Sequence, residues 1–315
     1  MPGPNVAVVG AGAVGCYYGG MLARAGTNVT LIGRSRHVEA INRNGLLFKS
    51  GDVEERISIA ATTDMAVVGS AQLVLFCVKS LDTDEAARAM APHLAPAAVV
   101  LSLQNGVDNV ERIRSCVKNQ VMPVIVYTAA QMPAAGRLEH TGGGNLVIGQ
   151  MNDVRTNDES ERRLLEEIAA LFTAAGVPTK VSKTIEVELW VKLVLNCAYN
   201  AISALTGSLY GRFIAMPEIR RIMTDVVDEI VQVAQAKGIR LPDNIVETTM
   251  KLADVLPRTK SSTAQDIMKG KPTEIDHLNG YVARQGEALE IPTPVNRTLA
   301  ALTKLLEQTK LDSSG

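Results

Sequence analysis

Three polar side chains recur at every fourth position in an otherwise apolar stretch, WVKLVLNCAYNAIS. They are Lys192, Asn196 and Asn200, and this spacing places them on one face of a predicted helix. Polar groups on an apolar helix need hydrogen-bonding partners, and a bound polar substrate would provide them. The alternative is a helix with a polar stripe that faces solvent. We favour a substrate site, because asparagine is a poor choice for an exposed mid-helix position.

A second group of polar residues lies in SSTAQDIMKGKPTEIDHLNG. Ser262 and Asp266 are four residues apart on a predicted short helix. Pro272 and Thr273 indicate the start of the next helix, which places Glu274 in its first turn. A glutamate in that position often serves only as a cap or as a partner of the helix dipole. Taken alone, this pattern is compatible with either role.

A glycine-rich segment near the N-terminus fits the pattern G-x-G-x-x-G, and it consists of Gly10, Ala11, Gly12, Ala13, Val14 and Gly15. It follows a predicted strand at residues 5–9 and opens a predicted helix at 13–25. Gly10 permits a tight turn, Gly12 lets the backbone approach a pyrophosphate, and Gly15 lets the helix pack closely on the strand. The helix N-terminus would then bind the phosphates through its N–H groups. The context predicts a dinucleotide site.

A second predicted strand, at residues 28–32, is followed by Gly33-Arg34-Ser35-Arg36. An acidic residue at this point would bind the ribose 2′-hydroxyl of NAD, and the local sequence has none. Arg34 can donate a planar fork of hydrogen bonds to a 2′-phosphate, so the sequence favours NADP(H) over NAD(H). The alternative is a pair of solvated arginines on a surface turn.

Lys79 and Asn105 each follow an apolar run that predicts a buried strand, at residues 73–78 and 98–103. The carboxyl ends of parallel strands lie at one edge of a sheet, and open α/β sheets bind ligands there. We therefore expect both residues at the ligand-binding edge. Residues of an ordinary surface loop would look the same in isolation.

Strands and helices alternate over the first part of the chain, which predicts a parallel sheet covered by helices. The segments RLEH and NLVIG then look like an antiparallel pair. From residue 184 onward, amphipathic segments predict helices alone. We therefore expect an α/β fold in which an NADP-binding, Rossmann-type parallel-sheet domain at 1–182 precedes an all-helical substrate and catalytic domain at 183–315.

Composition argues against several classes of function. The 315 residues include 32 Lys plus Arg and 33 Asp plus Glu, and only 3% are aromatic, so we expect no nucleic-acid partner. We find neither a signal peptide nor a membrane span, and we expect a cytoplasmic protein with no membrane partner. The four cysteines and four histidines lack the spacing of a metal site or a catalytic triad. Accordingly, we expect no bound metal and no nucleophilic mechanism.

The sequence resembles the ketopantoate reductase family over nearly its whole length. The resemblance rests on VAVVGAGAVGCYYGGMLARAG, CVKS, LQNG, KLVLNCAYN, SSTAQDIMKGKPTEIDHLNG and IPTPVNRTL. It implies a Rossmann domain followed by an all-helical domain. It also implies an oxidoreductase that uses NADPH to reduce the C2 carbonyl of a small 2-oxo acid, 2-dehydropantoate, on the route to pantothenate and coenzyme A.

The same resemblance implies roles for individual residues. Lys192 matches the family's general acid, and Glu274 matches its acidic partner, which we also expect near the cofactor. The other matches are with substrate-binding residues (Asn196, Asn200, Ser262), with a cofactor-contacting lysine (Lys79), and with an asparagine that contacts both cofactor and substrate (Asn105).

One position departs from the family pattern, because Tyr210 stands where the family has a further substrate-contacting asparagine. A phenol can still form hydrogen bonds at a substrate, but its reach and volume differ. The sequence therefore leaves open a reductase of another 2-oxo acid, an opine-type dehydrogenase, or a non-catalytic NADPH-binding regulator. Intact Lys192 and Glu274 argue against the regulator. Long apolar helices predicted at 214–237 and 295–310 could pair with a second subunit in a homodimer.

Overall fold

The computed structural model describes residues 3–151 and 159–312. The chain divides into two compact units, of which the first ends at Ile185 and the second begins at Glu186.

Within the described residues, the first unit contains ten strands in one sheet. They are β1 (Val6–Val9), β2 (Val29–Ile32), β3 (Leu46–Ser50), β4 (Val53–Ile57), β5 (Ala60–Thr62), β6 (Leu73–Phe76), β7 (Val99–Ser102), β8 (Val121–Ala134), β9 (Arg137–Gly149) and β10 (Thr179–Ser182). The spatial order is β4-β3-β9-β8-β7-β6-β1-β2-β5, and β10 pairs with β9. Every pairing from β8 across to β5 is parallel.

Helices pack against this sheet, and those of the first unit are α1 (Ala13–Arg24), α2 (Ser35–Asn44), α3 (Thr83–Met90), α4 (Asn109–Arg114) and α5 (Glu159–Ala174). All four residues of β1, β6 and β7 are buried, which explains why these strands read as continuous apolar runs. Tyr18 and Leu22 of α1 and Phe172 of α5 belong to the same hydrophobic core as the sheet residues. The predicted Rossmann-type core is confirmed.

The predicted pairing of RLEH with NLVIG is wrong, because both segments lie on β9. The antiparallel partner of β9 is instead β8, and β3 and β10 pair with β9 in parallel. Glycines 142–144 resemble a turn in the sequence, but the strand continues through them. The register shifts where Tyr127 faces Asn145 and Thr128 faces Gly143, which leaves Gly144 as an extra residue with a φ of 122°.

The second unit consists of α6 (Ile185–Thr206), α7 (Tyr210–Phe213), α8 (Pro217–Ala236), α9 (Ile245–Val255), α10 (Ser262–Met268), α11 (Asn279–Ala288) and α12 (Pro294–Asp312). The part of this unit that the structure describes contains no strand, as predicted. No helix described in either unit combines the length and the apolar character that a membrane crossing requires.

A buried polar cluster joins four helices of the second unit. The Glu229 carboxylate on α8 accepts hydrogen bonds from the backbone N–H groups of Val295 and Asn296, at 2.8 and 2.9 Å, and from Asn296 Nδ2 at 2.7 Å. It thereby satisfies first-turn donors of α12. Asn279 Nδ2 on α11 donates to Asn296 Oδ1 at 3.0 Å and to the Cys197 carbonyl of α6 at 3.1 Å. The cluster therefore fixes α6 relative to the other three helices.

Replacing Glu229 by alanine should destabilise the second unit, because it leaves several buried donors without their acceptor. We expect a loss of about 2–4 kcal/mol in the free energy of unfolding. Thermal unfolding of Glu229→Ala beside Glu287→Ala, which removes an exposed glutamate of α11, provides the measurement. Equal midpoints for the two variants would contradict the assigned role of Glu229.

Candidate functional site

The glycine-rich turn between β1 and α1 leaves no room for a side chain at Gly10 or at Gly15. Gly10 has a φ of 111°, and a Cβ there would lie 2.7 Å from the backbone of Cys77 and Val78. A Cβ at Gly15 would overlap the Gly10 carbonyl oxygen and lie 2.9 Å from Val8 Cγ1. Both positions therefore require glycine, for the tight turn and for close packing of helix on strand.

The turn is open at Gly12. A Cβ built at this exposed residue meets no other atom within 4 Å, and no side chain caps the N-terminus of α1. The first turn of α1 contains no acidic residue, so its backbone N–H groups form an electropositive end. The open approach and these donors fit a phosphate group. Ala11 is buried below the turn, while Ala13 and Val14 are partly exposed on α1.

Four neighbouring parallel strands, in the order β7-β6-β1-β2, end at this edge of the sheet. Asn105 follows β7, Lys79 follows β6, and Arg34 follows β2, with the glycine-rich turn after β1. Lys79 is exposed and Asn105 is half-buried. The first unit therefore brings all its predicted site residues to the carboxyl edge of the sheet. They lie near β1, where the strand order reverses because β2 lies on one side of β1 and β6 on the other.

Arg34 lies at the N-terminus of α2 and has a neighbour that sequence reasoning missed. Its Nη2 is 3.7 Å from Asp82 Oδ2, and its side chain is 90% exposed. Asp82 belongs to the segment that follows β6, three residues after Lys79. The sequence next to Arg34 contains no carboxylate, but the fold places that of Asp82 beside it. Only knowledge that β6 and β2 flank β1 would have revealed this pair.

In the second unit, α6 carries the predicted polar stripe. Lys192 and Asn196 are half-buried, and Asn200 is 3% exposed. The alternative of a solvent-facing stripe therefore fails at Asn200. The Asn200 carbonyl accepts a hydrogen bond from Ser261 Oγ at 3.2 Å, which attaches the segment before α10 to this face of α6.

Lys192 and Glu274 form the electrostatic centre of the second unit's candidate site. Burial lowers the pKa of the Lys192 ammonium from 10.5 to about 8, and the nearby Glu274 carboxylate opposes part of that shift. Glu274 itself is 7% exposed. An ammonium that titrates close to neutral pH can donate a proton and regain it readily, as a general acid must.

Glu274 does not lie in the first turn of an α-helix, contrary to the prediction. It precedes a short 3-10 helix at Ile275–His277, and its carbonyl accepts the His277 N–H at 2.9 Å. The helix α11 begins only at Asn279. Thr273 is anchored separately, because its N–H donates to Glu307 Oε2 at 2.8 Å. Helix capping therefore does not account for Glu274.

The two serines at the start of α10 have different surroundings. Ser261 is buried and caps the helix, since its Oγ accepts the Ala264 N–H at 3.0 Å. Ser262 is exposed at the first helical position, and Asp266 is half-buried one turn further on. The sequence alone did not separate the structural serine from the accessible one. Ala204 of α6, Ala264 and Ile267 form a small apolar cluster that packs α10 on α6.

Tyr210 opens α7 and is 7% exposed. Its ring packs against Tyr199 at 4.5 Å and against Phe213 at 5.8 Å between centroids. Burial, and to a smaller extent Tyr199, raises the pKa of the Tyr210 phenol. The residue is thus part of an aromatic cluster, and a contact with substrate remains a prediction. Among the residues described, no group of three His, Cys, Asp or Glu side chains could hold a metal ion.

Profiles of known families match both parts of the chain. Residues 6–153 match "Ketopantoate reductase PanE/ApbA", and residues 184–307 match "Ketopantoate reductase PanE/ApbA C terminal".

Individual proteins agree with the profiles. The 2-dehydropantoate 2-reductase of Halobacterium salinarum is 34% identical over 96% of this chain and 99% of its own length. A crystal structure of a PanE/ApbA family ketopantoate reductase from Ralstonia eutropha JMP134 superposes with a TM-score of 0.90 at 47% identity, covering 97% of this chain and 99% of that one. A D-mandelate dehydrogenase in ternary complex with NADH and anilino(oxo)acetate shares the fold, with a TM-score of 0.89 at 21% identity and coverage of 97% and 99%. The chain therefore belongs to the ketopantoate reductase family and is an oxidoreductase that acts on a CH–OH group.

Proposed function

We propose that this protein uses NADPH to reduce 2-dehydropantoate to pantoate, in pantothenate and coenzyme A biosynthesis, with Lys192 as the general acid. The observation that carries the proposal is a lysine whose pKa is lowered to about 8, next to Glu274 and on the same helix face as Asn196. The substrate is proposed because the relatives named 2-dehydropantoate 2-reductase match almost the whole chain.

The first unit is proposed to bind the cofactor. The backbone N–H groups at Gly12 and in the first turn of α1 would bind the pyrophosphate, and Arg34 would bind the adenosine 2′-phosphate. Lys79 and Asn105 would contact the cofactor further along the same edge. When bound, NADPH supplies the hydride that reduces the C2 carbonyl. The exposed Arg34 guanidinium is the support for NADPH over NADH.

The second unit is proposed to supply the proton. Negative charge develops on the carbonyl oxygen during reduction, and the Lys192 ammonium stabilises this charge and then donates a proton from Nζ. The nearby Glu274 carboxylate raises the pKa of Lys192, so the ammonium remains protonated at neutral pH. The amides of Asn196 and Asn200 and the hydroxyl of Ser262 are proposed to orient the polar groups of the substrate.

A second candidate function is the reduction of a different 2-oxo acid. Tyr210 favours it, because a buried aromatic ring occupies the position of an expected substrate-binding asparagine. The chemistry at Lys192 would be the same, and only the shape of the accepted substrate would differ.

The first experiment is NADPH oxidation by the purified protein with 2-dehydropantoate and a panel of other 2-oxo acids. We expect the highest kcat/KM with 2-dehydropantoate. Lys192→Ala should lower kcat by roughly a hundredfold or more without weakening NADPH binding. Lys251→Ala, which removes an exposed lysine paired with Glu247, is the matched control. Preference for another oxo acid would support the second candidate, and tight NADPH binding without turnover would refute both reductase assignments.

The pH dependence of kcat/KM should report the ionisation of Lys192. The acid must be protonated, so the rate should fall as the pH rises through about 8. Glu274→Gln removes the carboxylate that raises the Lys192 pKa, and the fall should therefore move to lower pH. A fall that stays in place or moves to higher pH in this variant would show that another group titrates.

Arg34 and Asp82 should affect cofactor preference in opposite directions. Arg34→Ala should weaken NADPH binding by roughly ten- to a hundredfold and leave NADH binding nearly unchanged, because it removes a charge-assisted phosphate contact. Asp82→Asn should strengthen NADPH binding, since it removes a negative charge beside the 2′-phosphate. Titrations of both cofactors measure these effects, with Arg43→Ala at the other end of α2 as control. Equal losses for NADPH and NADH in Arg34→Ala would contradict the 2′-phosphate assignment.

A further inference from the structure

Polar side chains are buried behind the two turns that carry Lys79 and Asn105. Ser80 and Thr83 are fully buried, Asn109 is 3% exposed, and Gln104 is 6% exposed. None of them has a role in the proposed chemistry. Burial of four neutral polar groups is costly unless each is hydrogen-bonded, so their contacts indicate what they do.

Asn109 lies at the centre of this group, at the start of α4. Its Nδ2 donates to the Asn105 carbonyl at 2.7 Å and to Ser80 Oγ at 3.2 Å. Its Oδ1 accepts from Thr83 Oγ1 at 2.9 Å and from Arg112 Nη1 at 3.3 Å. Both donor hydrogens and both acceptor positions of the amide are therefore used, which fixes the side chain in one orientation.

The Asn105 carbonyl receives a second hydrogen bond, from Ser80 Oγ at 3.0 Å. Two donors thus fix the peptide group between Asn105 and Gly106, where Gly106 has a φ of 94°. A side chain of the turn after β7 also bonds to residues that follow β6, because Gln104 Nε2 donates to the Val78 carbonyl at 3.1 Å and to Thr83 Oγ1 at 2.7 Å. The turn after β7 is therefore bonded to the turn after β6 through side chains as well as through the sheet.

We infer that Asn109 is a positioning residue, which sets the orientation of Asn105 relative to Lys79 at the nicotinamide end of the cofactor site. This inference rests on the proposed function. Asn105 follows β7, three strands away from Arg34 at the end of β2, so the two turns lie roughly 14 Å apart at the usual strand spacing. With the adenosine 2′-phosphate at Arg34, the opposite end of the dinucleotide lies at Asn105. Loss of Asn109 should affect that end alone.

The test compares two ligands on the intact protein by calorimetric titration, NADPH and adenosine 2′,5′-bisphosphate. Asn109→Asp keeps the acceptors for Thr83 and Arg112 but places a carboxylate oxygen against the Asn105 carbonyl. We expect the Kd for NADPH to rise about tenfold, with the bisphosphate Kd unchanged. The control is Asn119→Asp, since Asn119 also donates to carbonyls of the first unit, those of Ala95 and Ala98, at 2.8 and 2.9 Å. It should change neither Kd.

Equal weakening of both ligands by Asn109→Asp would mean a general structural defect, and no weakening of either would mean no role; each overturns the inference. A wild-type protein that fails to bind NADPH would refute the proposed function first.

A second pair of variants, at Thr83, keeps the inference testable if the Asn109→Asp variant misfolds. Thr83→Val removes the hydroxyl that donates to Asn109 and should raise the NADPH Kd severalfold, whereas Thr83→Ser should restore it. Equal Kd values for these two variants would also overturn the inference.

Discussion

The close approach of Gly10 to the backbone of Cys77 and Val78 is the constraint on which the first unit depends. The turn after β1 is in direct contact with the turn after β6, and any side chain at Gly10 would force the two turns apart. With glycine there, the N-terminus of α1 lies directly above the carboxyl ends of neighbouring strands. The positions of Arg34, Lys79 and Asn105 follow, because each comes within a few residues of the end of a strand in the same parallel set.

The candidate site of the second unit depends on two opposing effects on the pKa of Lys192, desolvation and the charge of Glu274. A lysine in a partly buried environment loses part of its hydration, and the Glu274 carboxylate returns part of the stabilisation of the charged form. This balance is sensitive to small displacements, so the helix that carries Lys192 must be held rigidly. Asn279 and the Glu229–Asn296 cluster provide that rigidity by hydrogen bonds to α6 and α12.

Local patterns were sufficient to predict the elements whose signal is contiguous in sequence. The glycine turn was predicted because strand, turn and helix follow one another within twenty residues. The stripe of Lys192, Asn196 and Asn200 was predicted because helical periodicity is a local property. The motif IPTPVNRTL was recognised only through the family resemblance, and its hydrogen bonds to Glu229 identify it as part of the scaffold that supports the site.

Features that depend on distant contacts were missed. The Arg34–Asp82 pair joins residues 48 positions apart in sequence, and their proximity follows from strand order alone. RLEH and NLVIG were predicted to pair with each other because the sequence does not reveal that β8 continues opposite both of them. Glu274 was assigned to a helix because Pro272 and Thr273 resemble a helix start, whereas the chain makes a 3-10 turn before α11 begins.

The exposure of Arg34 has an evolutionary consequence. Its side chain makes little packing contact, so its replacement is expected to cost the protein almost no stability. If Arg34 binds the 2′-phosphate as proposed, a single substitution at Arg34 or Asp82 would therefore change the cofactor preference without compensating changes elsewhere. Substitutions around Lys192, by contrast, would alter packing and charge together, because Glu274 beside it is buried. Under the proposed function, the electron donor is thus a property that one substitution at an exposed side chain can change, whereas the type of reaction depends on residues of the folded interior.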